Sequence, residues 1–389
     1  MNILVIGNGF DLAHGLKTNY KDFLRFIRCF LQHYSRKEVD KRYEVDESDV
    51  AYVKWVLDTF KEADHNDVYK DLISELYSLI AGNIWIDFFS DLQDLGGGWI
   101  DFEKEISRII QLLDKMRKPL GTRIDEKSEI LMDLAHHSMK ISRHVDPNGV
   151  SSMDEKDTAE LTSRLLTDLS RLTRALELYL SYYVEDEQLY YKIPPLPTIV
   201  GMKVDRVISF NYTDTFERIY GEIHSDVLYD YIHGKAKKGY GPETCNMVIG
   251  IDEYLCESEK NERNDFIEFK KFYQRIFKKT GCHYKTWLGT LNHANELTPN
   301  SKPQKVHVYF FGHSLDITDK DIIAELILQK NATTTIFYHN REAFSKQIIN
   351  LVKVIGEEEL IARTGDYETS IIFQPIDPQN DFDIANNAC

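Results

Sequence analysis

Ile3-Leu4-Val5-Ile6, followed at once by Gly7-Asn8-Gly9, is the stretch that decides the fold. Four apolar residues in a row do not alternate between a core face and a wet face. They describe a strand buried on both sides, as in a parallel sheet covered by helices. The glycines end the strand and let the backbone turn sharply. Further β-rich runs follow only much later, at 204–210, 227–232, 247–251, 306–311 and 333–338. Helix-like segments at 266–278, 319–329 and 341–355 separate or follow several of them. Strands alternating with helices predict a mainly parallel α/β sheet.

The intervening region has a different texture. Phe23, Phe26, Ile27, Phe30 and Leu31 recur at helical spacing, as do Leu165, Leu169, Leu172, Leu176 and Leu180. Gly96-Gly97-Gly98, Lys118-Pro119 and Asp146-Pro147-Asn148-Gly149 divide it into several helices, and Lys41–Asp49 and Ser151–Asp157 read as charged loops. Ile193-Pro194-Pro195-Leu196-Pro197 closes it, because proline cannot continue a helix. The expected organisation is an α/β nucleotide-binding domain from 1–22 plus 193–365, an all-helical insertion at 23–192, and a flexible tail at 366–389.

Of 389 residues, 47 are basic and 63 acidic, a formal charge of −16 that opposes bulk binding to nucleic acid or anionic membrane. No run is apolar enough to span a bilayer and no signal peptide opens the chain, so a cytoplasmic location is expected. Five scattered cysteines without a C-x-x-C pair argue against a disulfide framework or zinc ribbon.

Four segments bear chemistry, each at a strand end, where open α/β sheets bind ligands. The first is Gly7-Asn8-Gly9-Phe10-Asp11 with Gly15, a turn suited to a pyrophosphate but without G-x-G-x-x-G spacing. The second is Ser209-Phe210-Asn211-Tyr212-Thr213-Asp214, in which Thr213 or Asp214 equally suits a helix cap. The third is Tyr231-Ile232-His233-Gly234, and the fourth Gly312-His313-Ser314-Leu315, followed by Asp319 as the expected cap of the next helix. Asp101, Glu103 and Glu105 in the helical region read as an Asp cap and an acidic first turn. Lys235, Lys237 and Lys238 read as a solvated loop.

In this order, the segments resemble the sirtuin-like fold. Gly7, Gly9 and Gly15 keep the spacing of its first motif, with Asp11 in the serine place and Lys17 in the proline place. Asn211 falls on its asparagine, His233-Gly234 on its His-Gly, and Gly312-His313-Ser314-Leu315 on its Gly-Thr-Ser-Leu. More closely, residues 6–16, Thr18-x-Tyr20-x-x-Phe23, Phe210-Asn211-Tyr212-Thr213, Ile232-His233-Gly234 and Gly312–Leu315 resemble the AbiH family of bacterial phage-defence proteins. The resemblance implies a Rossmann-like (sirtuin-like) sheet domain and a nucleotide ligand. Lysine deacylases of that fold carry a Cys₄ zinc module where this chain has only Cys245, Cys256 and Cys282, so the implied relatives are the zinc-free ones, several of which hydrolyse NAD.

The leading expectation is therefore hydrolysis of NAD, the substrate, at its nicotinamide–ribose bond, with Asn211 and His233 catalytic and no metal. Gly7, Asn8, Gly9, Phe10, Asp11, Gly15, Gly234, Gly312, His313 and Ser314 would bind the nucleotide. A phage-derived trigger and a homo-oligomer are the other expected partners. The alternatives are a non-catalytic nucleotide sensor and, more weakly, a nuclease in which Asp11, Asp101 and Glu103 collect Mg²⁺.

Overall fold

The computed structural model describes residues 1–34, 67–94, 100–185, 192–239, 241–255, 264, 266–297, 302–365 and 369–376. The Lys41–Asp49 and Gly96–Gly98 stretches lie outside these residues. The chain divides into two units, one built from 1–18, 180–236 and 275–389, the other from 19–179 and 237–274.

The first unit is the sheet. Its strands are β1 (Asn2–Ile6), β4 (Arg206–Ser209), β5 (Leu228–Tyr231), β6 (Val306–Phe311), β7 (Ala332–Tyr338) and β8 (Ile371–Pro375), while β2 (His144–Val145) and β3 (Ser151–Ser152) belong to the other unit. They lie in the order β5-β4-β1-β6-β7-β8, and every pair is parallel. This is the Rossmann order: the chain runs outward from β1 to β5, then returns to the other side of β1 to make β6. Successive side chains of a strand face opposite ways. Ile3 and Val5 join the apolar layer containing Leu288, Ile323 and Leu351, whereas Leu4 and Ile6 join the one containing Phe10, Phe216 and Tyr220. All four are 0–2% exposed, which is why the run needs to be apolar throughout.

The second unit holds α2 (Tyr20–Tyr34), α3 (Asp67–Ile80), α4 (Ile84–Asp94), α5 (Phe102–Met116), α6 (Glu126–Met139) and α7 (Glu155–Tyr179), α1 being Asn8–Ala13 of the sheet unit. Its core is aromatic: the Phe102 ring is stacked between Tyr20 and Phe89, centroids 4.0 and 3.9 Å away. Trp85, fully buried, donates its indole N–H to Leu165 O at 2.8 Å. Buried Asp168 accepts from Ile84 N–H and pairs with Arg164 and Arg171, so its charge is fully met.

Several expectations are corrected. The tail contains β8, whose Ile371 is buried beside β7. Met247–Ile251 is buried but joins no strand; Ile251 makes an isolated bridge to Lys270, and Gln274 Nε2 donates to Ile249 O within the second unit. Residues 237–274 cluster there too, not with the sheet where they were expected. Ser151–Asp157 is no loop: β3 pairs with β2 around the Pro147 turn, and α7 starts at Glu155. Among the described residues no single helix is long and apolar enough to cross a membrane.

Candidate functional site

The four turns follow β1, β4, β5 and β6, which are neighbours in the sheet, so their carboxyl ends lie side by side. Between β1 and β6 the turns pack backbone on backbone. Gly7 N–H donates to Phe311 O at 3.2 Å and Gly9 N–H to Gly312 O at 2.8 Å. A Cβ on Gly9 would sit 2.8 Å from Gly312 Cα, and one on Gly312, at φ +65°, would sit 2.2 Å from Phe10 N. Turn-on-turn packing thus accounts for glycine at 7, 9 and 312. The Gly7 and Gly9 amides expected to face a pyrophosphate are committed within the fold.

Phe10, expected to touch the nucleotide, belongs to the core: it is fully buried against His14, Phe216, Tyr220 and Phe311. His14 is structural as well. Its Nδ1–H donates to Phe10 O at 2.7 Å, and its Nε2 accepts from Tyr220 OH at 2.8 Å, which itself accepts Leu196 N–H. Burial holds His14 neutral, with its pKa pulled down to about 4. Gly15, exposed and with open space around it, ends α1 in a left-handed conformation.

Asp11 is different. Only 1% exposed, it accepts from Thr213 Oγ1 at 2.6 Å through Oδ2, and Thr215 in turn donates to Thr213. Burial pushes its carboxyl up to about 6, although Thr213, Thr215 and Asn211 pull the other way. Asp11 Oδ1 and Asn211 Nδ2 are both buried and complete no hydrogen bond of ordinary geometry with the described residues. An acceptor and a donor in this state each carry a desolvation cost that a bound hydroxyl would remove.

His233 and His313 lie beyond β5 and β6, both 5% exposed. The Phe210 ring meets each edge-on, with centroids 5.4 and 4.4 Å away. Gly234 supplies the left-handed turn after His233. Asp319 Oδ1 lies 3.2 Å from His233 Nε2, and Oδ2 lies 3.9 Å from His313 Nε2. Ser314 is exposed and its carbonyl accepts from Asn350, so it stands away from the buried cluster. Asn8 uses its Oδ1 to receive Thr18 Oγ1–H at 2.6 Å.

Asp214 is the N-cap residue of α9 (Thr215–Tyr220, after α8, Pro197–Val200) but makes no capping bond. Its carboxylate pairs with Arg218 and Lys235 instead, while its N–H binds Glu185. Burial, then the Asp214 charge, raises the Glu185 pKa. Lys235, expected in a solvated loop, is thereby half buried and paired.

Asp101 is a capping residue, accepting Lys104 N–H at 3.1 Å. Glu103 pairs with Lys271 at 2.7 Å. Glu105 pairs with Arg108 and Lys127, which hold its pKa low against the effect of burial. Among the described residues no three His, Cys, Asp or Glu are placed together to hold a metal ion.

Sequence reasoning thus found the turns but passed over Asp319, whose position before a helix already offered a sufficient local explanation. Comparison with curated proteins and with solved structures finds no match. The family described as bacteriophage abortive infection AbiH, by contrast, matches residues 3–339, from the first residue of the buried β1 run to just past β7, taking in all four turns. A chain carrying that family's sequence across the whole of its candidate site belongs to the AbiH family of bacteriophage abortive infection proteins.

Proposed function

We propose that this AbiH protein acts in abortive infection by binding NAD at the carboxyl edge of its sheet and hydrolysing the nicotinamide–ribose bond. One observation carries the reading: turns scattered over 300 positions converge where Asp11 Oδ1 and Asn211 Nδ2 are buried and unsatisfied. A ribose hydroxyl donates to the first and accepts from the second, which fixes the sugar. Nicotinamide leaves with the bonding pair, the sugar becomes oxocarbenium-like, and the ionised Asp11 carboxylate stabilises that positive charge. Water then adds at the anomeric carbon, giving its proton to His233 while Asn211 orients it. With the Gly7 and Gly9 amides committed, the remaining nucleotide contacts are assigned to Asn8, Gly234, His313 and, at the rim, Ser314.

The test is incubation of the purified full chain with NAD, with and without EDTA, and detection of free nicotinamide. Release in both conditions is expected. Saturable binding without release, including in extracts of phage-infected cells, would replace hydrolysis by a sensing role.

A further inference from the structure

Two helices that follow turns of the carboxyl edge carry an aspartate at the N-cap that makes no capping bond: Asp214 before α9, and Asp319 before α12 (Lys320–Ile327, after α10, Lys271–Lys278, and α11, His283–Leu297). Before α9 the other candidate cap, Thr213, spends its hydroxyl elsewhere too, on Asp11 Oδ2, 202 positions away in the chain and 2.6 Å away in space. Thr215 Oγ1 lies 3.1 Å behind Thr213 Oγ1. A carboxylate only accepts, so Thr213 gives its one proton to Asp11 and Thr215 gives its own to Thr213. The chain of hydroxyls therefore runs one way, toward the carboxylate, through residues that are at most 2% exposed. The backbone beneath it is tied down as well. Ser209 Oγ accepts Asn211 N–H at 3.1 Å and donates to Asn211 O at 3.2 Å, and Ala236 N–H donates to Tyr212 O at 2.8 Å. The two oxygens of Asp11 are thus made unlike: Oδ2 is bonded, and Oδ1 is buried without such a bond.

We propose that Thr213 is a positioning residue: its hydroxyl, aligned by Thr215, pins Oδ2 of Asp11, so that Oδ1 is the oxygen left to receive a ligand hydroxyl. This rests on Asp11 serving the proposed hydrolysis, but the Thr213 bond itself can be read without turnover. A donor to the charged form of an acid favours that form. Burial opposes ionisation of Asp11 and the Asp214 charge adds to it; against them, Thr213 does most to favour the carboxylate, ahead of Thr215 and Asn211. Valine keeps the shape of threonine and removes the donor, whereas serine keeps the donor.

The experiment is a ¹³C NMR titration of the full chain labelled at its aspartate carboxyl carbons, with the Asp11 signal assigned from Asp11→Asn, in wild type, Thr213→Val and Thr213→Ser. Loss of the donor in T213V should raise the pH of half-ionisation of Asp11 by about one unit, a tenfold tighter hold on its proton, and T213S should restore the wild-type value at least in part. Thr213→Ala removes the same donor by truncation and takes the place of T213V if that variant does not fold. In the NAD assay at about pH 8.5, where Asp11 is ionised in every variant, T213V should lower kcat by roughly 10–10²-fold and T213S should recover most of it. T213V in the D11N background should be no worse than D11N alone, because Thr213 acts through Asp11. An Asp11 titration unchanged in T213V or T213A overturns the bond to the carboxylate. A raised titration with unchanged kcat, or a further loss in the double variant, overturns the positioning role. If wild type releases no nicotinamide, the titration still decides whether Thr213 holds the carboxylate, and the hydrolysis reading falls separately.

Discussion

Replacing Asp11 by asparagine should make the sheet unit more stable at neutral pH, and the reason is its buried carboxyl. The group titrates near 3.8 in an unfolded chain and at about 6 in the folded one, with burial the main cause. Across that window the native protein keeps a proton that the unfolded chain has released, so stability falls as pH rises through the folded value, and the loss is complete from about pH 7. The rise from 3.8 to about 6 corresponds to roughly 3 kcal/mol. The substituted amide cannot ionise. The gain in D11N should therefore be near zero at pH 3.5, grow through pH 4–6, and level off at about 3 kcal/mol from pH 7. That figure is a ceiling, since the new amide hydrogens face the Nδ2 of Asn211. His14 works in the opposite sense: depressed to about 4, it adds stability as pH rises from there to 6.5. It is present in both proteins and cancels in their difference, but in the wild type it offsets Asp11 and flattens the profile between pH 4 and 6. Urea unfolding at unit pH steps, followed by circular dichroism, measures the difference directly. A pH-independent difference, or a D11N protein less stable at pH 7, would refute the reasoning. If the carboxylate serves the reaction, D11N should also lose NAD turnover while gaining stability.

Gly312→Ala should cost more than about 4 kcal/mol, because its Cβ meets the Phe10 and Gly9 backbone. Gly15→Ala, with a similar φ but open space, should cost only about 1 kcal/mol; comparable losses in urea titrations would contradict the packing account. Asp168→Ala should destabilise the helical unit by about 3–5 kcal/mol by stranding Arg164 and Arg171, seen as faster amide exchange around Ile84. Asn211→Ala and His233→Ala should each cut nicotinamide release by roughly 10²–10⁴-fold, and the double variant should be little worse. Collapse of thermal stability in both single variants would make the residues structural.

The sheet was legible because strands buried on two faces cannot hide their composition: Ile3–Ile6 is apolar wherever it points, and Val306–Phe311 is hydrophobic at every position but His307. Its ligand edge was legible because glycines and polar residues interrupt such runs only at turns. Hydrophobicity reports burial, however, and not the partner that provides it. Hence Val248 and Ile249 looked like strand but are buried in the helical unit. β8 escaped notice because Ile371-Ile372-Phe373 is a brief apolar run among polar neighbours, buried only where it adds to β7. Phe10 sat inside a ligand-like motif and turned out to anchor the core. Asp319 shows the hardest case, since its residue type and position satisfied a short-range rule while its carboxylate answered to residues 86 and 6 positions away.

The order in which a ribosome delivers this chain matters to what it can do before it is finished. β1 emerges first, yet Ile3 pairs with Arg206 on one side and Val308 on the other. At roughly 5–20 residues per second, β1 waits about 10–40 s for its first neighbour and longer for its second. Asp11, Asn211, His233 and Asp319 come together only after the last of these strands and the start of α12 have been made. Any nascent or prematurely terminated product shorter than that carries an incomplete candidate site. If the proposed hydrolysis harms the host cell, topology alone withholds it from such fragments, without an inhibitor.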